Sequence, residues 1–451
     1  MRASAESPPM LCARFLLRPS LLLALVAVAL LPHAALAREI RPDSLDRQID
    51  AIPAARLLAL PIAQLLDPAR TAAAHHLLWV RPYAWLAMVL FEFAAMLYLW
   101  SSGAAAHWRD ALRRRIADER LVRMIFGALL GLCVRVAALI PTYAQYRVDR
   151  SLGRADILGA HWLAIWSVGT LAAMLLAGAT IAVVLELVDR THRWYLPTIV
   201  LFILASVLGS YLYPFAVVPV LWPGARHSVR LSSENARLAA AGLPVIPVLR
   251  ADADFAGLKD RVVLVGLLGS REMLAANGVL RGYSQSERAF LLARNNAQLK
   301  NDALVIRLAV ELTLVLVGVA LAVIIAERIG VRRDDDPLSR IALLAALLVL
   351  AYAAIAPADL AVRRSMVMRS DRAALAMTHD RAAAIGALVR QGDHRVESLC
   401  PTPLSALLVA ERPPLGSRIA RIEGAPDPCE KNKLARGNPP HLSRRSGLTH
   451  S

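Results

Sequence analysis

The chain has 451 residues, 57% of them hydrophobic and 19% charged, with a mean hydropathy of +0.48 and a formal net charge of +17. A water-soluble protein of this size needs far more polar surface, because surface area still rises steeply with mass. Composition therefore excludes a soluble globular protein and predicts a polytopic α-helical membrane protein. The basic excess lies mostly in loops and the tail, where arginine-rich segments anchor topology or touch anionic lipid, so nucleic acid is not an expected partner. Of the four cysteines, Cys12 and Cys133 read as incidental. Cys400 and Cys429 lack metal-site spacing and can pair only in an oxidising compartment. Alanine and arginine are abundant and lysine is scarce, which points to a GC-rich bacterial source and hence to a bacterial inner (plasma) membrane, crossed several times.

In chain order, Arg14 and Arg18 precede an apolar run that ends at Pro32 and Ala35-Leu36-Ala37, so residues 1–37 read either as a cleaved signal peptide or as a first membrane helix. Residues 38–82 read as an extramembrane segment. Residues 83–222 carry four candidate spans, at 83–101, 121–140, 161–187 and 194–220, each close to the roughly 20 apolar residues a helix needs to cross a bilayer. Trp85, Trp100, Trp162, Trp194, Tyr195 and Trp222 flank them as interface anchors. Residues 223–302 form a polar body with a strand predicted over 261–266 and a helix over 286–299 that starts near Ser284 or Ser286. Two further spans fall within 303–356. A second soluble body occupies 357–424, with helical signal over 372–391, and 425–451 reads as a disordered basic tail.

Arg307 and Glu311 stand four residues apart in an apolar segment, on one helix face, where an ion pair offsets burial. They read either as a self-satisfied pair near the headgroups or as residues of a gate or a substrate contact. Chemistry is otherwise scarce. His75 and His76 are adjacent and diverge on a helix, and His227, His379 and His394 have spacings that suit no compact ligand set. There is no pair of histidines one turn apart with a glutamate between them, no nucleophile elbow and no phosphate-binding loop. Residues and spacing alone imply no reaction.

The segment Ser286-Glu287-Arg288-Ala289-Phe290-Leu291-Leu292-Ala293 resembles the lead-in to the zinc helix of the CaaX prenyl protease type 1 family of integral-membrane zinc metalloproteases. Other landmarks of that family fall in the same order. They are the Pro141 to Tyr146 segment, with Asp149 and Gly153; Tyr213-Pro214 to Pro219; the strand from Arg261; Pro357 with Arg363-Arg364 and Asp371; Thr378-His379-Asp380, which is similar to the family's Thr-Gly-Asp; and Arg412-Pro413-Pro414 with Arg418-Ile419, which is similar to His-Pro-Pro and Arg-Ile. Together they cover most of residues 83–424. The resemblance implies an all-α polytopic fold with a small α+β metalloprotease-like juxtamembrane domain.

The same resemblance implies a lost site. The positions of the family's zinc-binding and catalytic residues carry Arg294 and Gln298 for the two histidines, Asn295 for the glutamate base and Val367 for the third ligand. Arg412 stands for the histidine of His-Pro-Pro, and the family aspartate is retained as Asp371. The Asn-Ala substrate-edge segment is also missing. A valine side chain has no lone pair and an amide is a poor substitute for imidazole. Two positive charges ~4 Å apart repel by about 4 kcal/mol at an effective dielectric near 20. The expectation is a degenerate member with no zinc or other cofactor and no catalytic residue, acting by binding a peptide, a lipidated protein or another membrane protein. Two alternatives stay open: an active enzyme with a noncanonical site, for which His227, Asp371, His379 and Asp380 would be the residues, and a transport or structural protein. Topology is also divided. Arginine-rich loops after Ser101 and Glu327 place both soluble bodies outside by the positive-inside rule, whereas the resemblance places them in the cytoplasm.

Overall fold

The computed structural model describes residues 58–66, 68–152, 158–222, 224–239, 245–251, 262–300, 302–328 and 337–430. The leader reading for 1–37 lies outside the described residues, as does the tail from 431 onward. The described part is helical apart from one small sheet, and the protein is a multi-pass membrane protein. Six helices are long and apolar enough to cross a bilayer. They run within α1 (Pro68–Ser101), α3 (Glu119–Ser151), α4 (Gly159–Arg190), α5 (Tyr195–Ala216), α8 (Ala303–Arg328) and α9 (Pro337–Thr378). A short helix, α2 (Ala104–Arg115), links α1 to α3. The soluble body adds α6 (Val229–Ala239), α7 (Gln285–Lys300), α10 (Arg381–His394), α11 (Pro403–Leu408) and α12 (Leu415–Glu423).

Local chemistry sets the helix starts. Asp118 accepts from the backbone N–H of Arg120 ahead of α3, Asp380 accepts from Ala383 ahead of α10, and Thr402 accepts from Ser405 ahead of α11. At α7 the Ser284 hydroxyl takes the Glu287 N–H while the Glu287 carboxylate takes the Ser284 N–H, a reciprocal capping box. Gly424, at φ +76°, closes α12.

α3 and α4 meet through small residues, as membrane helices do when packing rather than hydrophobicity holds them together. A Cβ on Gly178 would stand 2.5 Å from the carbonyl oxygen of Met124, and one on Gly127 would stand 2.9 Å from the Cα of Gly178. Gly178→Leu must push the helices apart and is expected to cost about 1–3 kcal/mol, read as a lower unfolding midpoint in mixed detergent micelles. An unchanged midpoint would mean that the two helices are not held at this distance. Farther along the same interface, Arg135 of α3 donates to the Thr170 hydroxyl and lies over the ring of Trp166.

The sheet has strands β1 (Arg226–His227), β2 (Val248–Ala251), β3 (Val262–Val265) and β4 (Glu272–Ala276) in the order β1-β2-β4-β3. β2 and β4 are parallel, with Val248 opposite Met273, and the outer pairings are antiparallel. Its apolar residues join Phe290, Leu291 and Leu292 of α7 and Ile385 and Leu388 of α10 in the main core of the soluble body.

Four boundaries differ from the sequence reading. α1 begins at Pro68, inside the stretch read as extramembrane, because Ala74 and Leu77 bury against Val148, Leu152 and Val396. α9 runs unbroken through Pro357, so the second body begins inside a helix. Membrane helices tolerate such a proline because neighbouring groups satisfy the freed carbonyl. The helix expected over 372–391 breaks after Thr378, where His379 takes φ +51°, the left-handed conformation suited to the glycine of Thr-Gly-Asp. Finally, 425–430 packs onto the body, with Cys429 bonded to Cys400.

Candidate functional site

α7 lies against α9 and α10, and α12 closes over the same place. Four polar side chains meet there inside the apolar core. Arg418 of α12 clamps Asp371 of α9 with both arms, Nε to Oδ2 at 2.7 Å and Nη2 to Oδ1 at 3.1 Å. Arg294 of α7 places Nη1 3.9 Å from Asp371 Oδ1 and donates to Gln391 Oε1 of α10 at 3.1 Å. Arg418 is 2% exposed and Arg294 5% exposed. Burial, opposed by Asp371, pulls the Arg294 guanidinium down to about 10, so it stays charged at neutral pH. Burial also works against the Arg418 cation, but the charge and hydrogen bonds of Asp371 leave it raised above its ordinary value. One carboxylate thus serves two guanidinium groups, and Glu397 adds a second negative field to both.

The helical phases explain which of the sequence-derived positions come together. Arg294 and Gln298 lie one turn apart on α7, and Val367 and Asp371 lie one turn apart on α9. Of these side chains, Arg294 and Asp371 interact directly. Asn295 turns back to donate to the Leu291 carbonyl of its own helix at 2.8 Å. Gln298 lines a cavity of about 210 Å³ with Val362, Met366 and Ser370. Val367 offers only its backbone carbonyl, taken by the Ser370 hydroxyl. Arg412 stands apart from the cluster and lines a larger cavity.

The residues of the alternative enzyme reading do not converge. His227 is exposed on β1, His379 occupies the helix break, Asp380 is spent as a cap and Asp371 is held by Arg418. Arg307 and Glu311 do pair, at 2.7 Å. Glu311 also takes Arg363 of α9, which in turn holds Asp359. Two cations and two anions thereby close a neutral network between α8 and α9, as the self-satisfied reading expects.

Arg418 and Gln391 were not legible as partners of this site. The signal for Arg418 is nonetheless present. Leu415, Ile419 and Ile422 mark the buried stripe of α12 at i, i+4 and i+7, and Arg418 at i+3 lies on it. A guanidinium on an apolar face requires a buried anion.

No protein-family model and no curated protein matches this chain. A likeness appears at the level of structure: the fold is similar to the crystal structure of S. mikatae Ste24p, a CaaX prenyl protease type 1 member, with a TM-score of 0.56 over 65% of this chain and 76% of that one, at 14% sequence identity. The likeness covers a chain whose described residues are mostly helical, with six candidate membrane helices and one small mixed sheet.

Proposed function

We propose that this Ste24p-like chain is a membrane pseudoprotease: it keeps the helical framework of the CaaX prenyl proteases, lacks their peptidase chemistry, and acts by binding a peptide, a lipidated chain or another membrane protein. One observation carries this reading. Arg294, at the position matching the first zinc-binding histidine, belongs to a buried Arg294–Asp371–Arg418 ion-pair cluster that joins α7, α9 and α12. Zinc needs several ligands with available lone pairs. Arg294 has none, the Val367 side chain has none, and Asp371 is already engaged by two cations, so a zinc ion does not fit this donor set. Asn295 has no carboxylate to act as a general base, and its amide is bonded to its own helix.

The test is zinc analysis and cleavage assays on the purified full-length protein, with prenyl-peptide and casein as substrates. The expected result is far less than one zinc per chain and no cleavage sensitive to a chelator. Stoichiometric zinc with chelator-sensitive cleavage would overturn the reading.

Two independent observations support one sidedness. Arg109, Arg113, Arg114 and Arg115 lie between α1 and α3, with Arg120 in the first turn of α3; Arg332 and Arg333 lie between α8 and α9, with Arg328 ending α8 and Arg340 in the first turn of α9. The positive-inside rule puts both in the cytoplasm. The soluble body is at the opposite ends of these helices, and it carries the Cys400–Cys429 disulfide, which persists only in an oxidising compartment. Both observations support a body that faces away from the cytoplasm, on the oxidising outer side of a bacterial inner membrane.

A further inference from the structure

A cavity of about 330 Å³ lies where α1 and α3 meet the loops that flank α11. Its depth relative to the bilayer can be read from helix length. The span within α1 has 31 residues, more than the roughly 20 a hydrocarbon core needs. Counting about 20 back from Ser101 puts the body-side boundary near residue 82, beside Arg81 and Trp85, both of which line the cavity. On α3, Gln145 of the cavity wall lies among Tyr143 and Tyr146, whose rings pack on Trp162 at 5.4 and 5.1 Å. Such an aromatic belt marks the headgroup layer.

Five charged side chains line this space: Arg81, Arg395 and Arg412 against Glu397 and Glu411. Arg395 approaches Glu397 at 3.6 Å, and Arg81 approaches Asp149 outside the wall at 4.0 Å. Buried atoms remain with hydrogen bonds unmade. Nη1 of Arg412 and Nε of Arg81 have no hydrogen-bond partner. A guanidinium N–H buried without an acceptor is costly, and a phosphate oxygen is the acceptor its planar fork suits best. Ala74, Leu77 and Leu78 form an apolar wall of the same cavity.

We propose that this cavity binds the phosphate of an anionic phospholipid, with Arg412 and Arg81 as its donors, Gln145 beside them and the acyl chains directed toward the bilayer. The site is separate from the Arg294–Asp371–Arg418 cluster and does not rest on the loss of peptidase activity. It gives Arg412, which stands where the family motif has histidine, a role of its own.

The test is native mass spectrometry of the full-length protein with dioleoylphosphatidylglycerol or dioleoylphosphatidylcholine titrated into the detergent solution, alongside thermal melts with inorganic phosphate. Phosphatidylglycerol should occupy one site at least about tenfold more tightly than phosphatidylcholine. Arg412→Gln should lose most of that preference, whereas Arg412→Lys keeps part of it and Arg421→Gln, exposed on α12, keeps all of it. Protection by millimolar inorganic phosphate equal to that by the lipid would overturn the lipid as the source and assign a soluble phosphate ligand. Equal binding of the two lipids, or Arg412→Gln binding like the parent, would overturn the site. The lipid comparison on the unsubstituted protein decides the matter even if Arg412→Gln fails to fold.

Discussion

Asp371→Asn is expected to destabilise the protein by about 3–5 kcal/mol, among the largest effects available to a single polar substitution in this chain. The amide preserves shape and some hydrogen bonding but removes the charge that Arg418 and Arg294 share inside the core. Two guanidinium groups would then stand buried with Glu397 as the remaining negative field. The same argument predicts non-additivity. Replacing Arg294, Asp371 and Arg418 together by leucine should recover most of the loss, because the desolvation cost of the charges disappears along with their attraction. The midpoint of unfolding in mixed micelles, compared across the single and triple variants, checks both statements. If Asp371→Asn melts with the parent, the cluster does not hold α7, α9 and α12 together, and the account of the site fails.

The second large effect concerns the Cys400–Cys429 bond. The two cysteines are 29 residues apart in sequence, and closing a loop of that length restricts the unfolded chain by about 3–4 kcal/mol in the chain-entropy model. Cys400→Ser with Cys429→Ser should lower stability by roughly that amount. The bond tethers the segment after Gly424 to the loop ahead of α11, beside the Gly416–Leu399 contact. The same residues report sidedness. In a background lacking Cys12 and Cys133, intact cells should bind no membrane-impermeant maleimide until treated with an external reductant. Labelling after that treatment is the expected outcome, together with an active periplasmic reporter fused at Gly224 or Ser451. A reporter active only in the cytoplasm, with thiols that react solely after lysis, would place the body on the other side and remove the disulfide from the native state.

The membrane architecture was legible because it follows from uninterrupted apolar length. A bilayer demands about 20 residues of satisfied backbone per span, and all six spans proposed within 83–356 correspond to helices. The soluble ends of those helices were not legible. Whether α1 stops at the membrane surface or continues to Pro68 depends on what Ala74 and Leu77 touch, and those partners, Val148 and Val396, are far away in sequence. The break at His379 was hidden for a related reason. Histidine carries no local sign that it will adopt a positive φ, and only the family's Thr-Gly-Asp pattern hinted at it.

The site divides in the same way. Read alone, the sequence determines side-chain identity, because a motif is local: Arg294 and Asn295 are neighbours on one helix, and no later packing can turn them into imidazole and carboxylate. What those side chains do instead was decided by tertiary structure. Arg294 meets Gln391 and Asp371, and Asp371 meets Arg418, across separations of 97, 77 and 47 residues that no periodicity encodes. Burial forces the outcome, since a guanidinium withdrawn from water must find an anion or acceptor wherever the fold brings one within reach.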